Sequence, residues 1–372
     1  MRRACGLNLP RRENANPLGA ALEQMIGATA AALTAWQQAI VAGVFELCLV
    51  GVMVIFELLG HVKEPAQQRI EGVQSQKTPG DPYSAKTPPP QEMTQMQHPE
   101  PVARRLYELT EPISLVNFFS PEPNDSMAAL GFRNYWDGYF AGRSAPLGRA
   151  PAEVIHAAFY NFADGEVARH IPRVWDTTTP EAAHAAREQG CVTALRRILG
   201  DLAGTPGLAR AAELLARAST SAPTEGRVMY AGLRALPMPE EPVARLWHAA
   251  NMLREHRGDG HIAALVSERI GGTEAHVLSA LAMGIYPAES FGRIHHLPET
   301  RLAEVMDGLR DRGLLDASGR FTDAGRATKT RIESLTDALA EAPYDGLEPL
   351  ELEQLIALLE PISRRLEATG SQ

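Results

Sequence analysis

The densest run of chemically useful side chains is Arg254-Glu255-His256-Arg257-Gly258-Asp259-Gly260-His261. Four roles suit those residue types. His256, Asp259 and His261 could ligate a metal, although H-x-x-D-x-H is not a recognised ligand spacing and no cysteine lies near. A histidine oriented by Asp259 could serve as a general acid or base. Arg254 or Arg257 could anchor an anion by charge-assisted hydrogen bonds. The fourth role is structural, with buried Arg, Asp and His hydrogen bonds fixing helix angles. The flanking pattern predicts a tight corner. Leu246, Trp247, Ala250 and Leu253 end one helical stripe, and Ile262, Leu265 and Val266 begin another. Gly258 suits a helix C-cap there, and Asp259 the cap of the next helix.

A second concentration is aromatic. Twelve of the 22 aromatic residues lie between Tyr107 and Trp175. Phe132, Trp136, Tyr139 and Phe140 recur at helical steps. They are compatible with a packed aromatic core or with a cavity for an apolar small molecule. In the second case Tyr135, Trp136 and Tyr139 would line it, and Asn134 and Asn161 would orient the ligand. Basic residues beside the rings are too few for a nucleic-acid stacking platform.

A third signal occupies 286–341. LPETRLAEVMDGLRDRGLLD reads as a helix with Leu302, Val305, Met306, Leu309 and Leu314 on one face. Gly313 ends it in the left-handed conformation glycine tolerates. LLDASGRFTDAG then reads as two short strands about a Ser-Gly turn, and Thr322-Asp323 caps a return helix. That order is a winged helix, which sets a helix in the DNA major groove and a wing over the backbone. Arg301, Arg310, Arg312 and Arg320 are the candidate DNA contacts, with Arg326 and Lys329 behind them. Over 286–340, however, eight basic residues face nine acidic ones. Phosphate binding needs a local positive excess, so a winged helix used only for folding or dimerisation stays open.

The elements that must position these groups are helical. Ala/Leu/Arg/Glu texture runs from Val102 onward, without a period-two stretch long enough for a sheet. Helices are predicted at 102–117, 126–142, 150–164, 165–175, 180–200, 207–219, 224–234, 239–257, 260–270, 273–283, 287–293, 298–313, 322–341 and 347–368. The predicted fold class is all-α with a small two-stranded wing: a winged helix-turn-helix domain plus an aromatic-rich helical domain. The apolar faces of 322–341 and 347–368 suit a homodimer.

At 372 residues the chain is long enough for about two domains at roughly 150 residues each. An aromatic-rich helical domain is assigned to 101–235, and a second helical domain, containing the winged helix, to 236–372. Residues 1–32 form a basic, small-residue segment. Within 33–60, the 22 residues from Ala39 to Gly60 carry only Glu46 and Glu57 as charges. That length matches the ~20 residues of a membrane-spanning helix, although a buried Glu46 is costly there. A sticky helix that pairs with its own copies is the alternative. Residues 61–100 read as a Pro-rich disordered linker. Residues 101–372 are assigned to the cytoplasm, with membrane anchoring through 39–60 left open.

The net charge of −9 excludes a strongly basic packaging protein. Cys5, Cys48 and Cys191 fit neither a zinc spacing nor a disulfide framework. Phosphate-loop, dinucleotide, H-E-x-x-H and G-x-S-x-G motifs are missing. No cofactor, metal or catalytic residue is assigned, and the balance leans away from an enzyme.

Four stretches carry a resemblance: LYELTEPISLVNFFSPEPNDSMAALGFRNYWDGYFAGRSAPLG, AAFYNFADGEVARHIPRVWD, LWHAANMLREHRGDGHIAALV and LRDRGLLDASGRFTDAGRA. Together, across about 102–368, the chain resembles the SalK-like helix-turn-helix family. The last stretch also resembles the wing of MarR-like regulators. The resemblance implies an all-helical protein with a winged helix-turn-helix, a regulator or a ligand-binding protein, and it adds weight to Arg254, His256, Arg257, Asp259 and His261 as a site. It supplies no reaction. The leading expectation built on it is a ligand-responsive winged-helix regulator of the MarR-like kind that binds DNA. A small-molecule-binding protein, or an enzyme of unassigned reaction with the winged helix as scaffold, is the alternative.

Overall fold

The computed structural model describes residues 101–285 and 298–370. The expected membrane helix within 33–60, the linker and the helix at 287–293 lie outside the described residues. Among the described residues no helix is long and apolar enough to cross a membrane.

Helix starts follow local chemistry. Thr179 and Thr205 each cap a helix that opens with proline, accepting from Ala182 N and Leu208 N at 3.2 Å. These helices are Pro180–Leu199 (α5) and Pro206–Ser221 (α6). Glu241 does the same before Pro242, accepting from Ala244 N at 2.8 Å. Proline fits the first turn because its missing N–H has no partner to lose there. Ahead of these lie α1 (Val102–Phe119), α2 (Pro121–Ala129), α3 (Tyr135–Ser144) and α4 (Ala152–Phe159). After α6 come α7 (Val228–Arg234), α8 (Pro242–Ser267), α9 (Gly272–Ala282), α10 (Glu299–Asp311), α11 (Asp323–Leu339) and α12 (Pro349–Gly370).

The 26-residue α8 is the axis of the fold, about 39 Å long at 1.5 Å per residue. It packs against α1, α5, α6, α7 and α11, and 17 of its residues are buried. The expected corner at 254–261 is therefore corrected: one continuous helix crosses it. Neighbours on every side hold the helix, so Gly258 and Gly260 do not end it. At Gly260 a Cβ would lie 2.4 Å from Arg227 Nη1, so the absent side chain admits that guanidinium.

Other expectations are corrected in the same way. The helix over 126–142 is two, parted by a turn at Leu130-Gly131, with Asn134 capping α3 through Trp136 N. Pro172 divides 165–175 into two 3-10 turns, Val167–Arg169 and Arg173–Asp176. The two-stranded wing reduces to one antiparallel bridge, Leu315↔Phe321, the pairing present among the described residues. Its turn is tied by Asp316 Oδ1, which accepts from Ser318 N, Ser318 Oγ and Arg320 N. Thr322 then caps α11 through Gly325 N. The arms are too short for a ladder.

One core joins α1, α5, α6, α8 and α12 and includes Leu106, Leu195, Leu215, Trp247 and Leu359. Leu355, Leu359, Ile362 and Leu366 of α12 are buried in it, and Ile332 of α11 is buried under α9 and α10. Much of the apolar surface expected to face a second copy is thus spent inside the chain, while Leu335 and Leu350 stay exposed. A third core holds Phe132, Phe140, Phe159, Phe162 and Trp175. Phe140 stacks on Phe159 at 6.0 Å and on His170 at 4.6 Å. These rings fill the interior with one another.

Gly190 of α5 lets α2 approach closely. A Cβ there would meet Pro123 Cα at 2.5 Å and Glu122 O at 2.8 Å, both backbone. Backbone cannot swing aside, so Gly190→Ala is expected to destabilise by about 3 kcal/mol, the upper end for overpacking. Urea unfolding of the two proteins checks this; an unchanged midpoint refutes it.

Candidate functional site: a buried arginine cleft

Between α3, α8, α9 and the segment after α4 lies a cleft of about 90 Å³. That is several times the ~10–15 Å³ that one water needs. Arg143, Arg254, Arg257, Asp259, His261 and Asn161 are among its lining residues. Three guanidiniums on one small cavity are costly unless each is paired, and each is. Arg143 meets Glu255 at 3.3 Å and donates to Tyr139 Oη at 3.2 Å. Arg254 Nε donates to both oxygens of Glu111 at 3.1 Å. Arg257 reaches Asp337 at 2.9 Å and Glu333 at 3.6 Å on α11. Rings support them: Arg143 lies 4.1 Å over Phe159, and Arg257 lies 4.6 Å over Tyr107.

Among the lining residues three guanidiniums stand against two carboxylates, Glu255 and Asp259. Burial works against the Glu255 charge, but Arg143 and Arg254 outweigh it and hold its carboxyl below the usual range. Burial pushes Asp259 up to about 7, so it is half protonated near neutrality. Burial brings His261 down to about 4, so its ring is neutral. Donors remain available inside. None of the Arg257 guanidinium nitrogens makes a well-aligned hydrogen bond, and the Tyr107 hydroxyl makes none. A small anion with several acceptor oxygens matches that set of groups.

The expected ligand residues divide. Arg254, Arg257, Asp259, His261 and Asn161 meet at the cleft. His256 does not; it is buried edge-on to Tyr230 at 5.0 Å, and burial lowers it to about 4. His261 instead bonds Thr336 Oγ1 at 2.9 Å, so the two histidines face different elements. Asp259 caps α7, accepting from Tyr230 N at 3.0 Å and Met229 N at 3.4 Å, rather than a helix following it in sequence. Tyr139 stands behind Arg143. Tyr135 and Trp136 are outside the lining and pack edge to face at 5.2 Å. Arg143, Glu255, Glu111 and Tyr107 were not legible as site residues. Arg143 follows Tyr139 by one helical turn, which is the one local signal; Glu111 lies 143 positions from Arg254.

The candidate DNA contacts lie elsewhere, on α10 and the hairpin. Arg301 pairs with Glu304 at 2.9 Å, Arg310 with Asp307 at 2.7 Å and Arg312 with Glu274 at 3.0 Å. Arg320 is exposed at the turn. Pairs this exposed are worth about 0–1 kcal/mol and yield readily to a phosphate. Glu299, Glu304, Asp307 and Asp311 stand exposed on the same helix.

A separate group joins His184 and Glu188 of α5 to His248 of α8, with one donor atom from each within 4.8 Å of the others. The i,i+4 spacing of the first two was readable in sequence; the third was not.

A helix-turn-helix family profile matches residues 103–372. No curated protein and no solved structure matches the chain. The match spans most of the chain, including the cleft, α10, the hairpin and α11. The chain therefore belongs to the helix-turn-helix family.

Proposed function

We propose that the protein is a ligand-responsive DNA-binding regulator of the MarR-like, winged-helix kind, whose arginine cleft receives a small anion. The helix-turn-helix is a DNA-binding unit, and family membership supports that half of the proposal. One arrangement carries the other half. Arg257 and His261, both lining the cleft, grip Asp337 and Thr336 of the return helix α11. Ala275 of α9, which packs on α10, lines the same cleft. A ligand that draws Arg257 off Asp337 therefore acts on the helices that present α10. Its influence is set by its differential affinity for the two arrangements.

The acidic outer face of α10 favours a second reading, a small-molecule-binding protein or enzyme that keeps the helix-turn-helix as scaffold. DNA binding by the full chain separates them. On the first, random-sequence DNA is retained at 50 mM salt. Retention then falls steeply by 200 mM, and Arg301→Ala/Arg310→Ala/Arg320→Ala flattens the salt slope by about one unit per lost phosphate contact. No retention at 50 mM leaves the scaffold reading.

A further inference from the structure

We propose that His184, Glu188 and His248 form a binding site for a divalent transition-metal ion, zinc by the chemistry of its donors. Two imidazoles and one carboxylate are a three-ligand zinc set with a fourth position open. The helices bring them together for a simple reason. His184 and Glu188 sit one turn apart on α5, so both point to one side. The buried face of α8 presents His248 to that side, and the two imidazole rings stand edge to face at 5.9 Å.

The side chains themselves call for a ligand. His248 is fully buried; the Leu233 backbone faces its ring, but neither ring nitrogen makes a well-aligned hydrogen bond. His184 Nδ1 is buried without one as well. A buried donor or acceptor left unpaired costs about 1–3 kcal/mol, and three such atoms in one spot are unusual. A metal ion satisfies a lone pair on each ring at once. His184 and Glu188 are 14% and 27% exposed, which gives an ion a way in and a water a place at the open position. Bonds of about 2.0–2.1 Å place tetrahedral donors roughly 3.3 Å apart, so the group closes by rotation of the partly exposed Glu188 and His184. The buried Cys191, one turn along α5, is no fourth ligand: it hydrogen-bonds Asn117, and burial pushes its thiol up to about 12.

One neighbour opposes a cation. Arg187 is buried between the two α5 ligands, tied to Asn117 at 3.0 Å and lying 5.5 Å over Trp247. Among the three ligands only the Glu188 carboxylate brings a negative charge to the ion. Glu188→Gln is therefore expected to weaken binding more than its single bond implies.

The test uses the full chain, stripped with a chelator and titrated with Co²⁺, whose visible absorption reports coordination, followed by displacement with Zn²⁺. The expected result is one saturable equivalent, weakened at least about tenfold in Glu188→Gln and in His184→Gln. Both positions are partly exposed, and circular dichroism verifies that each variant is folded. Absence of a one-equivalent site overturns the proposal. So does binding that is unchanged in both variants, which would place the metal on other histidines.

Discussion

Acidification from pH 6.5 to 4.5 is expected to remove at least about 3–4 kcal/mol of folding stability, a large part of the 5–15 kcal/mol typical of a domain. His256, His261 and His276 are buried, and burial brings each from 6.5 to about 4; burial lowers His184 to about 3 and His248 to about 4, which adds to the loss in the same sense. A base with a depressed folded value is neutral in the fold and charged when released. Its contribution is complete above 6.5 and is lost as the pH falls through the folded value. At pH 5 unfolding takes up about 2.6 protons through His256, His261 and His276. Asp259 acts in the opposite sense. Its folded value, raised to about 7, makes it a contribution present below 3.8 and lost as the pH rises, so at pH 5 it returns about one proton. For these three rings and Asp259 the net uptake corresponds to about 2 kcal/mol per pH unit. Urea unfolding at half-unit intervals measures it directly. His276→Gln should lower the slope at pH 5 by about 1.2 kcal/mol per pH unit, since the ~0.9 proton taken up by one ring is removed. A stability that is level from pH 6.5 to 4.5 refutes the account.

The buried polar layer was poorly legible in the sequence, whereas the helices were well marked. Thr179-Pro180, Thr205-Pro206 and Glu241-Pro242 announce helix starts with groups that act within four residues, so one sequence suffices to read them. The stretch 254–261 shows where local reading stops. Gly258, Asp259 and Gly260 carry every local sign of a helix end, yet five packed helices hold α8 straight through them. The local preference amounts to about 1 kcal/mol per glycine; burial of Trp247, Leu246 and Ala250 on one side and Ala264 and Leu265 on the other outweighs it. Arg254 and His261 were legible as chemically useful because they fall in a dense run of charged and imidazole side chains. Their partners Glu111 and Thr336 come from α1 and α11, and no spacing reveals a pair that only tertiary packing creates. The same limit applies to His248, which completes a group whose first two members stand one turn apart.

Arg254→Ala is expected to cost about 3–5 kcal/mol, because it strands a buried carboxylate. Glu111 is 2% exposed, and both its oxygens accept from Arg254 Nε. Burial already raises its carboxyl above the usual range, and the arginine offsets this only in part. Without Arg254 it must protonate or draw water inward. The fold does not need the pair as such. Replacing both partners by apolar groups of like volume, Arg254→Met with Glu111→Leu, is expected to restore most of the loss, since the desolvation of two charges then disappears together. Stability measured for the wild type, Arg254→Met, Glu111→Leu and the double variant gives the coupling. Near additivity would mean that the pair does not hold α1 to α8. Strong coupling with stability recovered would mean that these charges are kept for something other than folding. The cleft beside them, which the double variant leaves with Arg143 and Arg257 but without Arg254, is where that role would lie. An anion that protects the wild-type protein against thermal unfolding and fails to protect the equally stable double variant would place it there.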